Sequence, residues 1–351
     1  MTRLQKLLAA MPQELDALLV TNNKNQKYLT GFEFHDGLLL ITRQTSYLIT
    51  DFRYIEAAKK EASPEYEIIT HGGELAKTLA ELVDATVCIG YEDASITVEV
   101  LEQYQKALPS ARFMGAGRIV EGLRIKKEDC EIDAMIAAQR IAEKAFDHIL
   151  GFITPDRTEI EVALELEFTM RKLGAQATSF NTIAVSGAKS AMPHGVPSNV
   201  KLSRGFFTMD FGALYKGYCS DMTRTIVIGK ADDEMKRVYN TVLEAQTAAL
   251  AAFDFGKTGR EVDKVARDII YAAGYEGCFG HGLGHGVGMD IHEAPGVNFA
   301  SLTPFEAGHV VTCEPGIYIE GKYGVRIEDM VVFRDGYVED ITKCPKNLIE
   351  L

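Results

Sequence analysis

The sequence lacks any C-x-x-C pair among its six cysteines, and this absence excludes two kinds of cysteine-built structure. The cysteines stand far apart, at positions 88, 130, 219, 278, 313 and 344. Structural zinc sites usually need closely spaced cysteines, and small secreted domains are dense in them. The pattern therefore indicates reduced thiols, typical of the cytoplasm, rather than a disulfide framework or a structural zinc knot.

Basic residues are outnumbered by acidic ones, and long hydrophobic runs are absent as well. Lys and Arg number 37 against 50 Asp and Glu, a net charge of -13, whereas nucleic-acid and anionic-membrane surfaces need basic patches. Pro12, Glu14 and Asp16 break the first apolar run, so no signal-peptide core forms, and no later run approaches a membrane span. We expect a cytoplasmic protein that binds neither nucleic acid nor membranes and acts on small or peptide-like substrates.

Length and composition predict two domains. The chain has 351 residues, of which 46% are hydrophobic and 25% charged, enough for more than one core. From residue 16 to about 120 the chain alternates short strand-like runs with helical stretches, which predicts an α/β domain at residues 1–123. The charged segment RIKKEDCEID (124–133) precedes a long helical pattern, so we place the boundary there and the second domain at 124–351.

An internal sequence repeat divides the second domain into two halves. TEIEVALELEFTMRKLG (158–174) and TGREVDKVARDIIYAAG (258–274) both begin with a T-x-x-E capping box and end at glycine. Each segment follows another helical pattern and precedes strand-rich sequence. This repeat predicts two related α+β halves, and the alternative is a chance similarity between two helix starts.

A first predicted hairpin carries two aspartates. In TMDFGALYKGYCSDMTRTIVIG (208–229), symmetric pairing about Tyr215 and Lys216 puts Asp210 directly opposite Asp221. Like charges directly opposite one another on paired strands repel. Such a pair needs a cation between its carboxylates.

A second predicted hairpin repeats the pattern with glutamates. In HVVTCEPGIYIEGKYGVRIEDMVVF (309–333), pairing about Gly321 puts Glu314 opposite Glu328. Close, buried carboxylates are costly unless they are protonated, paired or bound to metal. Acids on solvated strand faces are the alternative, but one such hairpin in each half predicts four carboxylates around a shared metal centre.

Three histidines and alternating glycines fill the segment FGHGLGHGVGMDIHEAP (279–295). Five glycines at helical positions would each cost about 1 kcal/mol, so an extended segment is predicted. His281 and His285 then share one face with Cα atoms about 13 Å apart, too far to bind one ion side by side. One histidine therefore joins the four carboxylates, and such oxygen-rich ligands suit two divalent ions of the manganese or cobalt kind.

Five motifs of the second domain are highly specific in combination. DFGALYKGYCSD, HGLGHGVGMDIHEAP, EPGIY and GVRIED, with SGAKSAMPHG around His194, resemble those of the pita-bread metallopeptidases, which include methionine aminopeptidase, aminopeptidase P and prolidase. YLTGF (28–32) and TDFRYIEAA (50–58) are similar to the extra domain of the last two, the proline-directed branch. The resemblance implies an α+β fold, with an N-terminal creatinase-like α/β domain followed by a duplicated, pseudo-twofold pita-bread catalytic domain.

The resemblance also implies two divalent metal ions, with Mn²⁺ as the first expectation and Co²⁺ or Zn²⁺ as alternatives. Asp210 would chelate one ion, and Asp221 and Glu328 would bridge both. His285 and Glu314 would complete the coordination of the other ion. Glu314 would also handle the proton of a water or hydroxide held between the ions.

Further residues would act on the substrate. By the resemblance, His194 and His292 orient the substrate and stabilise the tetrahedral intermediate, while His281 lines the substrate pocket. Arg326 lies two residues before Glu328, on the same strand face, and we count it with the substrate-binding residues. From that place it either orients a ligating carboxylate or forms an ordinary surface ion pair.

The expected function is that of an Xaa-Pro aminopeptidase, which releases the residue before a proline from the N-terminus of a peptide. The close alternative is prolidase, an Xaa-Pro dipeptidase, because no group that caps or admits the C-terminus of the peptide can be placed from the sequence. A non-catalytic binding module on the same fold is the third possibility, but it predicts missing ligands. A homodimer is implied by the resemblance alone.

Overall fold

The computed structural model describes all residues from Met1 to Leu351, which form two compact units, Met1–Arg124 and Ile125–Leu351. Each unit packs helices against β-sheet, so the predicted α+β class is confirmed. None of the ten α-helices combines the length and the hydrophobicity that a membrane crossing requires.

The first unit is an α/β domain around one six-stranded sheet. Its elements are α1 (Arg3–Ala10), β1 (Ala17–Val20), α2 (Asn23–Thr30), β2 (Gly37–Thr42), β3 (Ser46–Thr50), α3 (Ile55–Glu61), β4 (Glu67–Thr70), α4 (Leu75–Leu82), β5 (Cys88–Tyr91), α5 (Val98–Ala107), β6 (Arg112–Gly115) and α6 (Ile119–Arg124). The strand order is β4-β3-β2-β1-β5-β6, antiparallel from β1 to β3 and parallel elsewhere. The apolar run of β2 from Leu38 to Ile41 is wholly buried, as expected for a strand covered on both faces.

Four helices of the second unit form two matched pairs. They are α7 (Asp129–Phe152) and α8 (Glu159–Lys172), then α9 (Asp233–Ala252) and α10 (Gly259–Ala272). Thr158 and Thr258 begin α8 and α10 with complete capping boxes, in which each hydroxyl accepts from the backbone N–H of Glu161 or Glu261 and the glutamate bonds back. The two helix starts predicted from the internal repeat are confirmed.

The strands of the second unit form four sheets. They are β7 (Ala177–Thr178), β8 (Ile183–Ser186), β9 (Gly205–Phe211), β10 (Ala213–Tyr215), β11 (Tyr218–Cys219), β12 (Met222–Ile228), β13 (Gly284–Gly286), β14 (Glu293–Val297), β15 (Val310–Cys313), β16 (Gly316–Ile319), β17 (Tyr323–Arg326), β18 (Asp329–Arg334) and β19 (Tyr337–Asp340). The sheet orders are β12-β9-β8, β14-β13-β15-β18-β19, β11-β10-β7 and the β16-β17 hairpin, and a short 3-10 helix spans Gly187–Ala191.

The second unit repeats one plan in its two halves. After α8 comes the sheet of β8, β9 and β12, and after α10 comes the sheet of β13, β15 and β18. Isolated bridges join Thr158 to Lys201 and Thr258 to Pro304, so both helices meet the equivalent loop of their own half. Two separate apolar clusters lie mainly one in each half, around α7 and α8 and around α9 and α10. The predicted pseudo-twofold duplication is confirmed.

The first predicted hairpin register is wrong by two residues. The turn falls on Lys216 and Gly217, whose φ angles of 50° and 84° are those of a two-residue primed turn. Asp210 therefore pairs with Thr223, and not with Asp221. A shift of two residues preserves the face on which side chains lie, so both aspartates still point to the same side.

The second predicted register is confirmed on both sides of Pro315. Cys313 pairs with Asp329, and Gly316 pairs with Arg326, which continues the same register. Glu314 and Glu328 therefore lie opposite one another in the gap between β15-β18 and β16-β17. This gap turns both carboxylates into the interior of the second unit.

Candidate metal centre and active-site cavity

One cavity of about 680 Å³ in the second unit gathers every residue that the sequence singled out for the site. They are His194, Asp210, Asp221, His281, His285, His292, Glu314, Arg326 and Glu328. The set comes from both halves of the duplication, so the two related folds build one site between them. Their roles remain predictions, but their convergence is a property of the fold.

The carboxylates project from strand ends of both halves. Asp210 lies near the end of β9, and Asp221 directly precedes β12. Glu314 directly follows β15, and Glu328 directly precedes β18. His285 is the central residue of β13, next to β15 in the same sheet. The extended segment predicted from the glycines holds for His285.

His285 presents one ring nitrogen to the carboxylates. Its Nδ1–H donates to the carbonyl of Gly286 at 3.1 Å, which leaves the lone pair on Nε2. Nε2 lies 3.6 Å from Oδ2 of Asp221 and 3.5 Å from Oε1 of Glu314. Burial lowers the pKa of His285 to about 4, so the ring is neutral at pH 7. A neutral acceptor that faces two carboxylates is the arrangement of a metal ligand.

The electrostatics of the cluster favour a bound cation. Ligand atoms of Asp221, His285 and Glu328 lie within 4.8 Å of one another. Burial, and then neighbouring carboxylates, raise the pKa of Asp221 and Glu328 well above their usual range. Burial likewise raises the pKa of Glu314 to about 8. Oδ1 of Asp210 is buried without a hydrogen-bond partner, so this oxygen-rich set fits divalent metal ions.

Arg326 is the only Lys or Arg that lines the cavity, and each of its three guanidinium nitrogens donates a hydrogen bond. Nη2 donates to Oδ2 of Asp210 at 2.6 Å, and Nε donates to Oγ1 of Thr223 at 2.9 Å. The Thr223 hydroxyl in turn donates to Oε2 of Glu328 at 2.8 Å. Arg326 is only 3% exposed, so the alternative of a surface ion pair is wrong, and the side chain braces two carboxylates of the cluster.

A hydrogen-bonded chain continues from Arg326 to His281. Nη1 of Arg326 donates to Oη of Tyr318 at 2.8 Å, and Oη lies 2.9 Å from Nε2 of His281. The other ring nitrogen, Nδ1, lies 2.8 Å from the carbonyl of Gly282, to which it donates. Burial lowers the pKa of His281 to about 4, which suits this neutral ring. Because both ring nitrogens are engaged, His281 shapes the cavity wall.

We expect Tyr318→Phe to lower kcat/KM about 10-fold, the loss of one hydrogen bond to a charged group. The phenolic oxygen accepts from Arg326, so its removal loosens the guanidinium that holds Asp210. Steady-state kinetics on a proline-containing peptide, together with metal content, would measure this. Tyr323→Phe, a change in the neighbouring strand β17, is the matched control; equal rates for both variants would contradict the bracing role.

Two threonine hydroxyls of the cluster were not predicted from the sequence. Thr223, two residues after Asp221, supports Glu328. Thr312, two residues before Glu314, donates to Oε1 of Glu314 at 3.3 Å and accepts from the N–H of His285 at 3.1 Å. Each lies two residues from a carboxylate, and this spacing along a strand was the available signal.

Two other histidines are exposed to the cavity and differ in this from His285. His194 follows the 3-10 helix in a loop, and His292 ends the glycine-rich segment directly before β14. The ring centroids of His285 and His292 are 4.1 Å apart. The structure thus separates one half-buried imidazole among the carboxylates from two imidazoles that a substrate can reach.

Family models match most of the chain. Residues 133–335 match metallopeptidase family M24, and residues 3–126 match the Creatinase/Prolidase N-terminal domain. The first match covers the whole set of cavity residues, and the second covers the α/β sheet of the first unit.

Several solved and curated relatives are similar over the full length. The structure of an Xaa-Pro dipeptidase from Bacillus anthracis has a TM-score of 0.96 and 45% identity, with 99% of both chains covered. That of an X-Pro aminopeptidase from Thermotoga maritima has a TM-score of 0.92 and 37% identity, with 99% of this chain and 100% of that chain covered. An Xaa-Pro dipeptidase from Pyrococcus horikoshii is 36% identical over 350 residues, which cover 99% of this chain and 98% of that protein.

Proposed function

This chain belongs to metallopeptidase family M24, and from that premise we propose that it is an Xaa-Pro aminopeptidase, which cleaves the bond between the first residue of a peptide and a following proline. The broader activity, a metal-dependent Xaa-Pro peptidase, follows from the family and from the relatives named for it. The site contains the residues that this chemistry needs in one cavity.

One observation favours the aminopeptidase over the dipeptidase. A dipeptidase must bind the C-terminal carboxylate of the proline, and a fixed cation is the usual means. The only Lys or Arg that lines the cavity is Arg326, whose guanidinium is committed to Asp210, Thr223 and Tyr318. The cavity therefore offers no uncommitted cation to the C-terminal carboxylate of an Xaa-Pro dipeptide. A longer peptide, which has no carboxylate at that place, gives up no ion pair there. The dipeptidase is the second candidate, because the relative from Bacillus anthracis carries that name.

The proposed cofactor is a pair of divalent ions, Mn²⁺ first, with Co²⁺ or Zn²⁺ as alternatives. The ligands would be Asp210, Asp221, His285, Glu314 and Glu328, which fit by their oxygen-rich chemistry, by the lone pair of His285 and by the partnerless oxygen of Asp210. When bound, such ions supply Lewis-acid chemistry, which activates water and polarises the scissile carbonyl.

The residues of the chain then have separate tasks. Glu314 accepts a proton from the attacking water at a carboxylate oxygen and passes it to the departing proline nitrogen. His194 and His292, exposed in the cavity, donate to the carbonyl oxygen as negative charge develops there. Arg326 holds Asp210 in place, while His281 limits the pocket. A homodimeric assembly and a cytoplasmic location complete the proposal, and all six cysteines are free thiols.

A peptide panel after metal removal tests this proposal. The protein is stripped with chelator, Mn²⁺ is added back, and rates are measured for Xaa-Pro, Xaa-Pro-Yaa and Xaa-Pro-Yaa amide. We expect no activity without metal, and cleavage of both tripeptides at least as fast as the dipeptide after readdition. Hydrolysis confined to the dipeptide would establish the second candidate, and unchanged rates in the stripped protein would contradict the metal requirement.

A further inference from the structure

The motif HGLGHGVGMDIHEAP contains a glutamate to which the proposed function gives no task. Glu293 directly follows His292 and is the first residue of β14. Residues 287–292 form the loop between β13 and β14, and Gly286 pairs with Glu293 at the two ends of this loop. His292 lines the cavity, whereas Glu293 does not. Any effect of Glu293 on a substrate in the cavity therefore passes through its neighbours.

The side chain of Glu293 turns back over the loop that ends at His292. Oε2 accepts from the backbone N–H of Asp290 at 3.4 Å. Oε1 lies so close to Gly288 that a Cβ at this position would be only 2.3 Å away from it. The carboxylate therefore occupies the space that a side chain at position 288 would need, and the backbone of the loop lies directly against it.

A buried lysine holds this carboxylate in place. The ammonium of Lys127 donates to Oε1 of Glu293 at 2.5 Å, and the two side chains are 1% and 11% exposed. Nζ of Lys127 also donates to the carbonyl of Ile125 at 3.3 Å. The backbone N–H of Lys127 donates to the carbonyl of Gly308 at 2.8 Å. The lysine is thus fixed at its backbone as well as at its ammonium group.

A contribution to stability does not by itself account for a buried ion pair. Removing two charges from water costs as much as, or more than, their attraction returns, so two apolar side chains would stabilise the fold at least as well. What the ion pair adds is a defined position for both charged groups. The adjacent Lys126 forms an ion pair of the ordinary surface kind, with Glu306, in which the side chains are 59% and 53% exposed.

We propose that the Lys127–Glu293 pair positions His292 in the cavity. The pair fixes the end of the loop from outside the cavity, and the next residue toward the N-terminus presents its imidazole inside it. Both members are positioning residues, since neither lines the cavity. The expected effect on catalysis rests on the proposed function, which gives His292 its task, whereas the anchoring of the loop does not.

Glu293→Gln tests the pair, because the amide keeps the shape of the side chain and removes the charge that Lys127 meets. In the Mn²⁺-loaded protein, E293Q should lower kcat for an Xaa-Pro-Yaa peptide about 10-fold, while KM and metal content stay at the wild-type level. K127M should give the same result. Lys126→Met, a change in the adjacent exposed lysine, is the matched control and should keep the wild-type kcat.

The H292N background distinguishes positioning from a general loss of structure. In that background E293Q should lower kcat no further, because the imidazole that Glu293 positions is already absent. Equal losses from E293Q with and without His292, or a loss in K126M as large as in E293Q, would overturn the proposal. Should the single variants fail to fold, K127M/E293Q replaces them, because it leaves neither member of the pair charged without the other.

Hydrogen exchange tests the anchoring of the loop without any measurement of activity. The backbone amides of residues 287–292 should exchange about 10-fold faster in E293Q than in the wild type, and at the wild-type rate in K126M. If the wild type hydrolyses no Xaa-Pro peptide, the proposed function fails, and faster exchange in E293Q still supports the anchoring. Unchanged exchange of these amides in E293Q would contradict the anchoring, whatever the activity.

Discussion

Replacing Glu328 with glutamine is expected to lower kcat/KM on the order of 10³-fold or more and to abolish tight binding of divalent metal. Glutamine preserves the shape of the side chain and can still accept from the Thr223 hydroxyl, so the change removes chiefly one negative charge. The Glu328 carboxylate lies close to Asp221 and His285, and the three side chains together could hold a metal ion. Hydrolysis at a metal centre needs the complete set of ligands. Metal content of the dialysed protein and peptide hydrolysis give the two measurements.

The same substitution should have the opposite effect on the stability of the metal-free protein. The raised pKa values of Asp221, Glu314 and Glu328 mean that ionising these buried carboxylates together destabilises the fold. At pH 8, one neutral amide in place of Glu328 relieves part of this repulsion, so stripped E328Q should melt at a higher temperature than the stripped wild type. With Mn²⁺ present, the order should reverse, because only the wild type gains the stabilisation of a bound ligand.

Glu159→Gln is the control for a generic effect of removing a buried carboxylate. Glu159 is buried in the same unit, but it bonds to Lys189, Ser186 and Ser198. Its loss should reduce stability with or without metal and leave metal content unchanged. Metal retained by E328Q at wild-type stoichiometry would remove Glu328 from the proposed ligands.

The convergence of the four carboxylates could be predicted from the sequence because strand registers are local. The register of the second hairpin was predicted by assuming a turn centred on Gly321 between two strands of alternating side-chain direction. This register correctly placed Glu314 opposite Glu328. The pairing of the first hairpin failed because Lys216 adopts a positive φ that is uncommon for a residue other than glycine. The error moved the pairing partner of Asp210 from Asp221 to Thr223 but not the face, which is why the predicted cluster survived it.

The contacts that cross between the halves could not be predicted in this way. Arg326 belongs to the second half and Asp210 to the first, and their ion pair depends on how two sheets meet rather than on spacing within either. The same holds for Tyr318, which joins Arg326 to His281 from within the EPGIY motif. Long-range geometry of this kind follows from packing, whereas the resemblance to the M24 family could supply only the identity of the participants.

The three histidines of the glycine-rich segment should give different results when each is replaced by asparagine. His285→Asn removes the Nε2 lone pair between Asp221 and Glu314, so both metal content and activity should fall. His292→Asn should lower kcat about 10²-fold or more while metal content stays at the wild-type level, because the loss of one polar donor at a developing oxyanion has this magnitude. His281→Asn should act chiefly through Tyr318 and resemble Tyr318→Phe.

The comparison of His285 with His292 is the decisive part of this set. The centroids of their rings are only 4.1 Å apart, so proximity to the carboxylates alone cannot decide which histidine is the metal ligand. Exposure and hydrogen bonding separate them, because the His285 ring is half-buried and oriented by the Gly286 carbonyl, whereas His292 faces the open cavity. If H292N lost metal as fully as H285N, the two imidazoles would share the coordination, and the assignment of His292 to the substrate would have to be abandoned.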